Sequence, residues 1–248
     1  METRDEQAVI RAARNNADWC DLVARAHGAA GRFLDELWSC DQRLPMFYPN
    51  LVTLTGHGEA LQREGVAALL ERGPPLPWAV KDSFARLDLT AMGFDCLFEA
   101  RWISHPPGEP RADPVDSSMN WRRIETAAGL EAWEQAWRRD LFAGSAPIFP
   151  PALLRDPSLA FLAGTRGDAI LAGCALNISA GAIGLTNLFG ADDGRAMVWS
   201  ACRNQALSLA PGLPIVGYER GEDLALARAA GFRELGPLRV WLWTGGAG

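Results

Sequence analysis

Residues 188–196 read "LFGADDGRA". Two apolar residues meet a glycine, two acids, a second glycine and a basic residue. That order predicts a strand running into a glycine turn and then the first turn of a helix. Upstream, "AIGLTNLF" (182–189) continues the strand. Downstream, Val198, Cys202, Ala206 and Leu209 fall on one face of a helix running from Gly194 to about Leu209. Such a junction gathers free backbone N–H groups and the partial positive charge of a helix N-terminus, which together suit a phosphate. Here Asp192 and Asp193 stand where the phosphate would lie. As helix caps they are favourable by about 1 kcal/mol. Beside a pyrophosphate, one like-charge pair at about 4 Å costs ~4 kcal/mol at an effective dielectric of ~20. The sequence leaves both readings open: a cradle for an anion, or a helix start filled by its own acids.

The segments around this junction complete an α/β pattern. "MNWRRIET" (119–126) reads as a strand and "AAGLEAWEQAWRRDLF" (127–142) as an amphipathic helix. In that helix Leu130, Trp133, Trp137 and Leu141 face inward, with Glu131, Glu134, Arg138 and Arg139 turned away. "PPALLRDP" (150–157) is a short helix bounded by prolines, and "LAFLAGT" and "AILAGCALNIS" are strands joined by a tight turn at "RGD". After the quoted helix come a buried strand "LPIVGYE" (213–219), a short helix "EDLALARAA" stopped by Gly231, and a last strand "FRELGPLRVWLW". The N-terminal part opens with helical sequence to about Trp38. Then follow a strand "YPNLVTLT", a helix "GEALQREGVAALLERG", a strand "PLPWAVKD", a helical turn "LDLTAM" and a strand "GFDCLFEARWI". "HPPGEPRADPVDSS" (105–118), rich in proline and acid, reads as a linker between residues 1–104 and 119–248.

The two parts share an internal pattern. "LPWAVKD" (76–82) aligns with "LPIVGYE" (213–219), and in both a Gly-Phe pair, a leucine and an arginine close to a tryptophan follow at matching distances. A duplicated β-α-β-α-β unit accounts for this order. The N-terminal copy is expected to lack the leading hairpins, with helices in their place.

Composition bounds the function. The chain has 248 residues, 48% apolar and 22% charged, and a net charge of −6. It is long enough for one large domain or two small ones with a packed core. The negative charge argues against a nucleic-acid partner, and no apolar run is long enough for a bilayer. Five cysteines without a C-x-x-C pair and three scattered histidines support neither a disulfide frame nor a metal site, so a reducing cytoplasm is expected. No G-x-S-x-G, Walker loop or H-E-x-x-H motif occurs.

The element order of 119–243, the "AAGF" ending and the strand-to-helix turn resemble the GNAT N-acetyltransferase superfamily. The resemblance implies an α/β fold with a mixed sheet, here in two related halves, the first a truncated copy. It also implies an acyl-CoA co-substrate, acetyl-CoA or another, with no metal. In that family a strand carries the pantetheine arm and a Q/R-x-x-G-x-G/A loop wraps the pyrophosphate. Leu188, Phe189 and Gly190 match the strand end, and Gly194, Arg195 and Ala196 match the loop. The first loop position holds Ala191, and the tyrosine common before Gly-Phe is absent around Ala227–Ala230.

Acyl transfer to an amine needs a base for the amine, an acid for the thiolate and a polarised carbonyl. Tyr218 as acid and Glu219 as base or amine anchor lie at a strand end, where open α/β sheets hold ligands. Asn187, in an apolar strand, is a candidate acceptor contact. Each also has a plain reading: a half-buried wall, a solvated strand-end charge, an outward amide. Lys81 and Asp82 hold the equivalent positions in the first copy and read as a local ion pair, and His57 in "LTGHGEA" reads as a loop residue. The expectation is an acyl-CoA-dependent N-acyltransferase of a small amine, monomeric or homodimeric. The alternative is a non-catalytic protein of the same fold that binds a ligand or protein partner in the cleft between its halves.

Overall fold

A computed structural model describes residues 3–73, 76–110, 119–139, 146–191 and 194–245. The first helix, α1 (Arg4–Ala26), is opened by Thr3, whose Oγ1 accepts from the Glu6 N–H at 3.1 Å. It ends well before Trp38. Gly28 takes a left-handed φ of 78°, the Gly28 N–H bonds the Arg25 carbonyl and the Ala29 N–H reaches back to Ala24. This paired closure needs a residue without a Cβ penalty, and Gly28 supplies it. The chain that follows, expected to be helical, forms a hairpin of β1 (Arg32–Phe33) and β2 (Leu37–Ser39). The first half therefore has a leading hairpin, in short form.

Next come β3 (Leu51–Thr53), α2 (Glu59–Glu71), β4 (Trp78–Asp82), a single 3-10 turn at Thr90–Met92 and β5 (Phe94–His105). The second half runs β6 (Asn120–Arg123), α3 (Ala127–Arg138), a 3-10 turn at Pro151–Arg155, β7 (Leu159–Arg166), β8 (Ala169–Ser179) and β9 (Ala182–Phe189). It ends with α4 (Arg195–Leu209), β10 (Ile215–Glu219), α5 (Gly221–Ala229) and β11 (Arg233–Trp243). The class is α/β, with parallel and antiparallel strands mixed.

The chain divides into two units, Met1–Trp102 with Leu235–Gly248, and Ile103–Glu234. The last strand, expected in the C-terminal domain, thus belongs mostly to unit 1. It pairs antiparallel with β4, Arg239 opposite Asp82 through Trp243 opposite Trp78. A strand's own pattern sets which faces it buries, not which neighbour it joins. Of the expected linker, His105 is the last residue of β5, and residues 111–118 lie outside the described residues.

In unit 1 the strand order is β1-β2-β3-β4-β11-β5, with β3 and β4 parallel. In unit 2 it is β10-β9-β8-β7-β6, with β9 and β10 parallel and the others antiparallel. One face of the unit 2 strands packs on α4 and α5 through Leu162, Cys174, Leu176, Ile183, Leu185 and Ile215 against Trp199, Cys202 and Ala206. The opposite face meets α3. Trp133 lies edge-on to Phe161 and Phe189 at 5.1 and 5.3 Å between ring centres, and its Nε1 donates to the Leu162 carbonyl at 2.8 Å. Edge-to-face pairs of this kind contribute about 0.5–1.5 kcal/mol each beyond the area they bury.

Glu134, expected on the outer face of α3, is buried. Its carboxylate accepts from the Ile148 and Phe149 N–H groups at 2.7 and 3.0 Å and pairs with Arg138. It fastens the chain entering the second 3-10 turn to the helix.

Candidate functional site

The site grows from one irregularity in β9. This strand pairs with β8 from Ala182 opposite Ser179 to Thr186 opposite Ala175, and then Phe189 stands opposite Gly173. Asn187 and Leu188 thus face a single residue, Cys174, which makes a β-bulge. Asn187 carries the bulge with φ 53°, a left-handed conformation that Asn adopts more readily than most residues. The extra residue reverses which face each later side chain occupies. Leu185 and Leu188 both reach the core beneath α4, while Phe189 turns to Trp133 under α3. Asn187 is half-buried, and its Oδ1 accepts from the Thr186 hydroxyl at 3.1 Å.

The bulge coincides with the loss of β9's other neighbour. β9 and β10 are paired at Ile183–Ile215 and Gly184–Val216, and the pairing stops there although β9 runs on to Phe189 and β10 to Glu219. Gly217 marks the last close approach: a Cβ there would lie 2.8 Å from the Leu185 carbonyl oxygen. Beyond it, among the described residues, the β10-facing edge of β9 has no strand partner and runs on with its backbone groups outside the ladder.

This edge leads to the turn quoted at the outset. Gly190 brings the strand end against α4, where a Cβ would stand 2.7 Å from Val198 Cγ2. Its carbonyl accepts from Arg139, at the end of α3. The Gly194 N–H closes on the Ala191 carbonyl at 3.1 Å, and Gly194 as N-cap offers α4 no side-chain bond. A Cβ on Gly194 would meet nothing closer than Met197 Cε at 4.0 Å, so packing within the protein does not require glycine there. Asp192 and Asp193, on which the choice between cradle and self-filled helix start turned, lie outside the described residues. Ala196 is exposed on the first turn of α4.

Arg195 forks onto Asp223 in the first turn of α5, Nε to Oδ1 at 3.0 Å and Nη2 to Oδ2 at 3.1 Å. Glu219 shares this corner. Burial, reinforced by the Asp223 carboxylate, pushes its carboxyl up to about 8 against the pull of Arg195 and Arg220. Tyr218 is its neighbour in sequence but not in space. Ile215 lies in the α4–α5 core, so by strand alternation Gly217 and Glu219 share that face and Val216 and Tyr218 take the other. The structure gathers Leu188, Phe189, Gly190, Gly194 and Ala196 around strand edge and turn, with Glu219 beside Arg195 on one face and Tyr218 on the other.

Two contributors escape the sequence pattern. Arg139 reads there as a solvent-facing helix residue, yet its guanidinium holds the Gly190 carbonyl. Asp223 reads as an ordinary first-turn acid and proves to be the partner that claims Arg195. Ala227, where the expected tyrosine is missing, is fully buried beneath α4. The "AAGF" ending is a helix stop. Gly231 takes φ 92°, its N–H bonds the Arg228 carbonyl, the Phe232 N–H reaches Ala227, and Phe232 packs edge-on to Trp199. Beside the turn a cavity of about 500 Å³ opens on the side of β6 and β8, walled by Trp121, Leu171, Met197 and Val198, with Arg139 and Arg166 also lining it. Among the described residues no cluster of His, Cys, Asp and Glu could hold a metal ion, and no helix is long and apolar enough to cross a membrane.

No protein-family profile matches the sequence, and no curated protein matches it significantly. Solved structures do. A GCN5-related N-acetyltransferase from Kribbella flavida superposes with a TM-score of 0.67 at 14% identity, covering 95% of this chain and 96% of that one. A GCN5-related N-acetyltransferase from Sphaerobacter thermophilus gives 0.55 at 11% identity over 94% and 91%. A GCN5-related N-acetyltransferase-like protein from Streptococcus suis gives 0.54 at 16% identity over 96% and 99%. These likenesses extend over nearly the whole chain, both units included. Together with the bulged strand, the parallel neighbour that leaves it and the glycine turn into α4, they establish that this chain has the fold of the GCN5-related N-acetyltransferases.

Proposed function

We propose that unit 2 binds an acyl-CoA thioester and transfers its acyl group to a small amine. The observation that carries this reading is the parting of β9 from β10 at the Asn187 bulge, which, among the described residues, leaves a strand edge without a ladder partner running toward the glycine-capped start of α4. A strand edge of backbone donors and acceptors suits an amide-bearing arm, and a helix N-terminus suits phosphate. The glycine at 194, which packing does not demand, leaves room for a phosphate to approach. Leu188, Phe189, Gly190, Gly194 and Ala196 would hold the co-substrate, which supplies an activated acyl carbon. Arg195 would add to them only by leaving Asp223.

The chain's own part is to position and to move protons. Backbone N–H groups of β9 beyond its ladder with β10 would be preorganised to polarise a carbonyl oxygen. Glu219, with its carboxyl raised to about 8, takes a proton from an incoming amine once it is ionised. Tyr218 offers a hydroxyl on the opposite face of β10, toward the α3 side, and Asn187 stands at the bulge between the two strands.

A second reading, a non-catalytic protein of this fold that binds a ligand or protein partner, is favoured by two observations: Ala227 replaces the tyrosine, and Arg195 is committed to Asp223. A thermal-shift titration with acetyl-CoA separates the two. Ligand at about 100 times its dissociation constant adds about 2.7 kcal/mol of stability, a clear rise in Tm. No rise at millimolar acetyl-CoA overturns the acyltransferase reading.

A further inference from the structure

Unit 2 holds two of the chain's five cysteines, Cys174 on β8 and Cys202 on α4. They are far apart in sequence, and the packing of α4 on the sheet brings them together. Both are 0% exposed and share one core with Leu176, Trp199 and Ala206. The Cys202 thiol hydrogen-bonds the Cys174 thiol across the boundary between helix and sheet. Cys174 is also the residue that faces the bulge, opposite Asn187 and Leu188. A bond between the two sulfurs would tie α4 to the strand behind the bulge, and the chain it encloses contains all of β9 and the turn.

A buried cysteine that serves only as a small apolar side chain needs no second thiol beside it. Two thiols in contact are reactants for each other. Burial, and then the neighbouring Cys174 thiol, push the Cys202 thiol well above the ordinary cysteine range, so the pair stays quiet while α4 is seated. The start of α4 at Gly194 carries no side-chain cap, and local release of a helix opens such a pair to solutes.

We infer that Cys174 and Cys202 are a latent disulfide, a modification site at which a low-molecular-weight disulfide locks α4 onto β8 and a reducing thiol releases it. One cysteine, as thiolate, attacks a sulfur of the oxidant R–S–S–R, forms a mixed disulfide and expels R–S⁻. The other, as thiolate, attacks the protein sulfur of that mixed disulfide and expels the second R–S⁻. Two electrons pass from the cysteines to the oxidant, and their two protons end on the two R–SH released. The sulfurs, already in contact, close to about 2.05 Å. The new bond restrains the unfolded chain and so favours the folded one. This inference does not rest on the acyl-CoA reading.

The test uses the full chain carrying Cys96→Ser, which removes the exposed thiol that would otherwise take up oxidant. Reduced protein is incubated with glutathione disulfide in buffer without denaturant, quenched with acid, alkylated after unfolding and mapped by mass spectrometry. Four thiols are expected to be alkylated before incubation and two after it, with Cys174 and Cys202 joined. Tm rises by several degrees with the bond and falls back on addition of dithiothreitol. Cys202→Ala in the same background forms no such bond and gains no Tm from the oxidant. Mapping and reversal are read on the intact pair, so they decide the matter even if Cys202→Ala fails to fold. The inference is overturned if Cys174 and Cys202 are both still alkylated after a day, or are joined only to glutathione or to other cysteines. A mapped bond without a rise in Tm, or an equal rise in Cys202→Ala, overturns it as well.

Discussion

In unit 1 the parallel strands β3 and β4 are joined through α2, and in unit 2 the parallel strands β9 and β10 are joined through α4. Each pair is followed by a helical turn that a Gly-Phe stops in the same way. The Phe94 and Phe232 N–H groups reach back five residues to Leu89 and Ala227, the glycines take φ of 82° and 92°, and both phenylalanines are buried against a tryptophan. The units diverge at the strand ends. In unit 1 the chain beyond β4 is stitched shut: the Ser83 N–H donates to Thr53 Oγ1 at 2.8 Å, Lys81 Nζ to Asn16 Oδ1 at 2.7 Å, and Asp82 accepts the Leu87 and Phe84 N–H groups. The approach to α2 presents acceptors rather than donors, with the carbonyls of Thr55 and His57 turned onto the Gln62 amide at 3.0 and 3.2 Å. In unit 2 a bulge stands at the corresponding strand end, and each of the two helices starts at a glycine that offers no side-chain cap. One plan of elements therefore parts its parallel strands where one of them is bulged, and among the described residues no side chain bridges that parting as Thr53 and Asp82 do in unit 1.

The largest effect expected of any single change lies in the closed unit. Asp82 is 1% exposed, and Asp82→Ala orphans two N–H groups, one of them fully interior. Each orphan costs about 1–3 kcal/mol, so a loss of about 3 kcal/mol and of roughly 9 °C in Tm is expected, with coenzyme A affinity unchanged. Glu219→Ala at the matching position of unit 2 removes a carboxyl that accepts no hydrogen bond among the described residues, and its Tm at pH 8 is expected not to fall. Thermal melts of both variants decide this. An equal loss at Glu219 would mean that the open unit is tied as tightly as the closed one.

A smaller effect separates the two glycines of the turn. Gly190→Ala drives a methyl against Val198 and is expected to cost about 1–3 kcal/mol by overpacking. Gly194→Ala places its methyl in open space and should keep stability within about 0.5 kcal/mol while weakening coenzyme A. Unchanged affinity in Gly194→Ala would move the phosphate away from the start of α4.

Much of this comparison is legible in the sequence. The helical period of 198–209, the alternation around "IVGYE" and the Gly-Phe stops announce the elements, because each depends on residues within one or two turns of chain. Asn187 announces itself only as a polar residue in an apolar strand. That it carries a bulge, and so reverses the facing of Leu188 and Phe189, depends on the register with β8, which the strand's own residues do not encode. For the same reason the sequence does not place β11 beside β4, or join Arg139 to Gly190 across 51 residues of chain. Tyr218 and Glu219, adjacent in sequence, belong to opposite faces as soon as the strand is extended, a consequence of alternation available from the outset.

The smallest expected effect concerns the proton on Glu219. Folding half-buries this residue beside Asp223, raising its carboxyl from the ordinary glutamate range to about 8. Between about 4.3, the ordinary glutamate value, and the raised value, the folded chain holds a proton that the unfolded chain has released. The stability this group contributes is whole below that window, declines as pH rises through it and is lost above about 8. Glu219→Gln stays neutral throughout. Its advantage in Tm over the wild type should therefore start near zero around the ordinary glutamate pKa, grow with pH and level off above the raised one. Melts at stepped pH read this directly, and a difference that does not vary with pH would show that Glu219 sits in water with an unremarkable proton. The chemistry assigned to Glu219 runs in the same window: a base must be ionised, so transfer to an amine is expected to gain rate over the range in which the fold loses stability. Burial also pushes the Asp82 carboxyl up at the equivalent place in unit 1, but there the Leu87 and Phe84 N–H groups oppose the push, whereas Glu219 accepts no such hydrogen bond among the described residues. That missing partner leaves its carboxyl available to react, and it is why the open unit should be the pH-sensitive one at neutral pH.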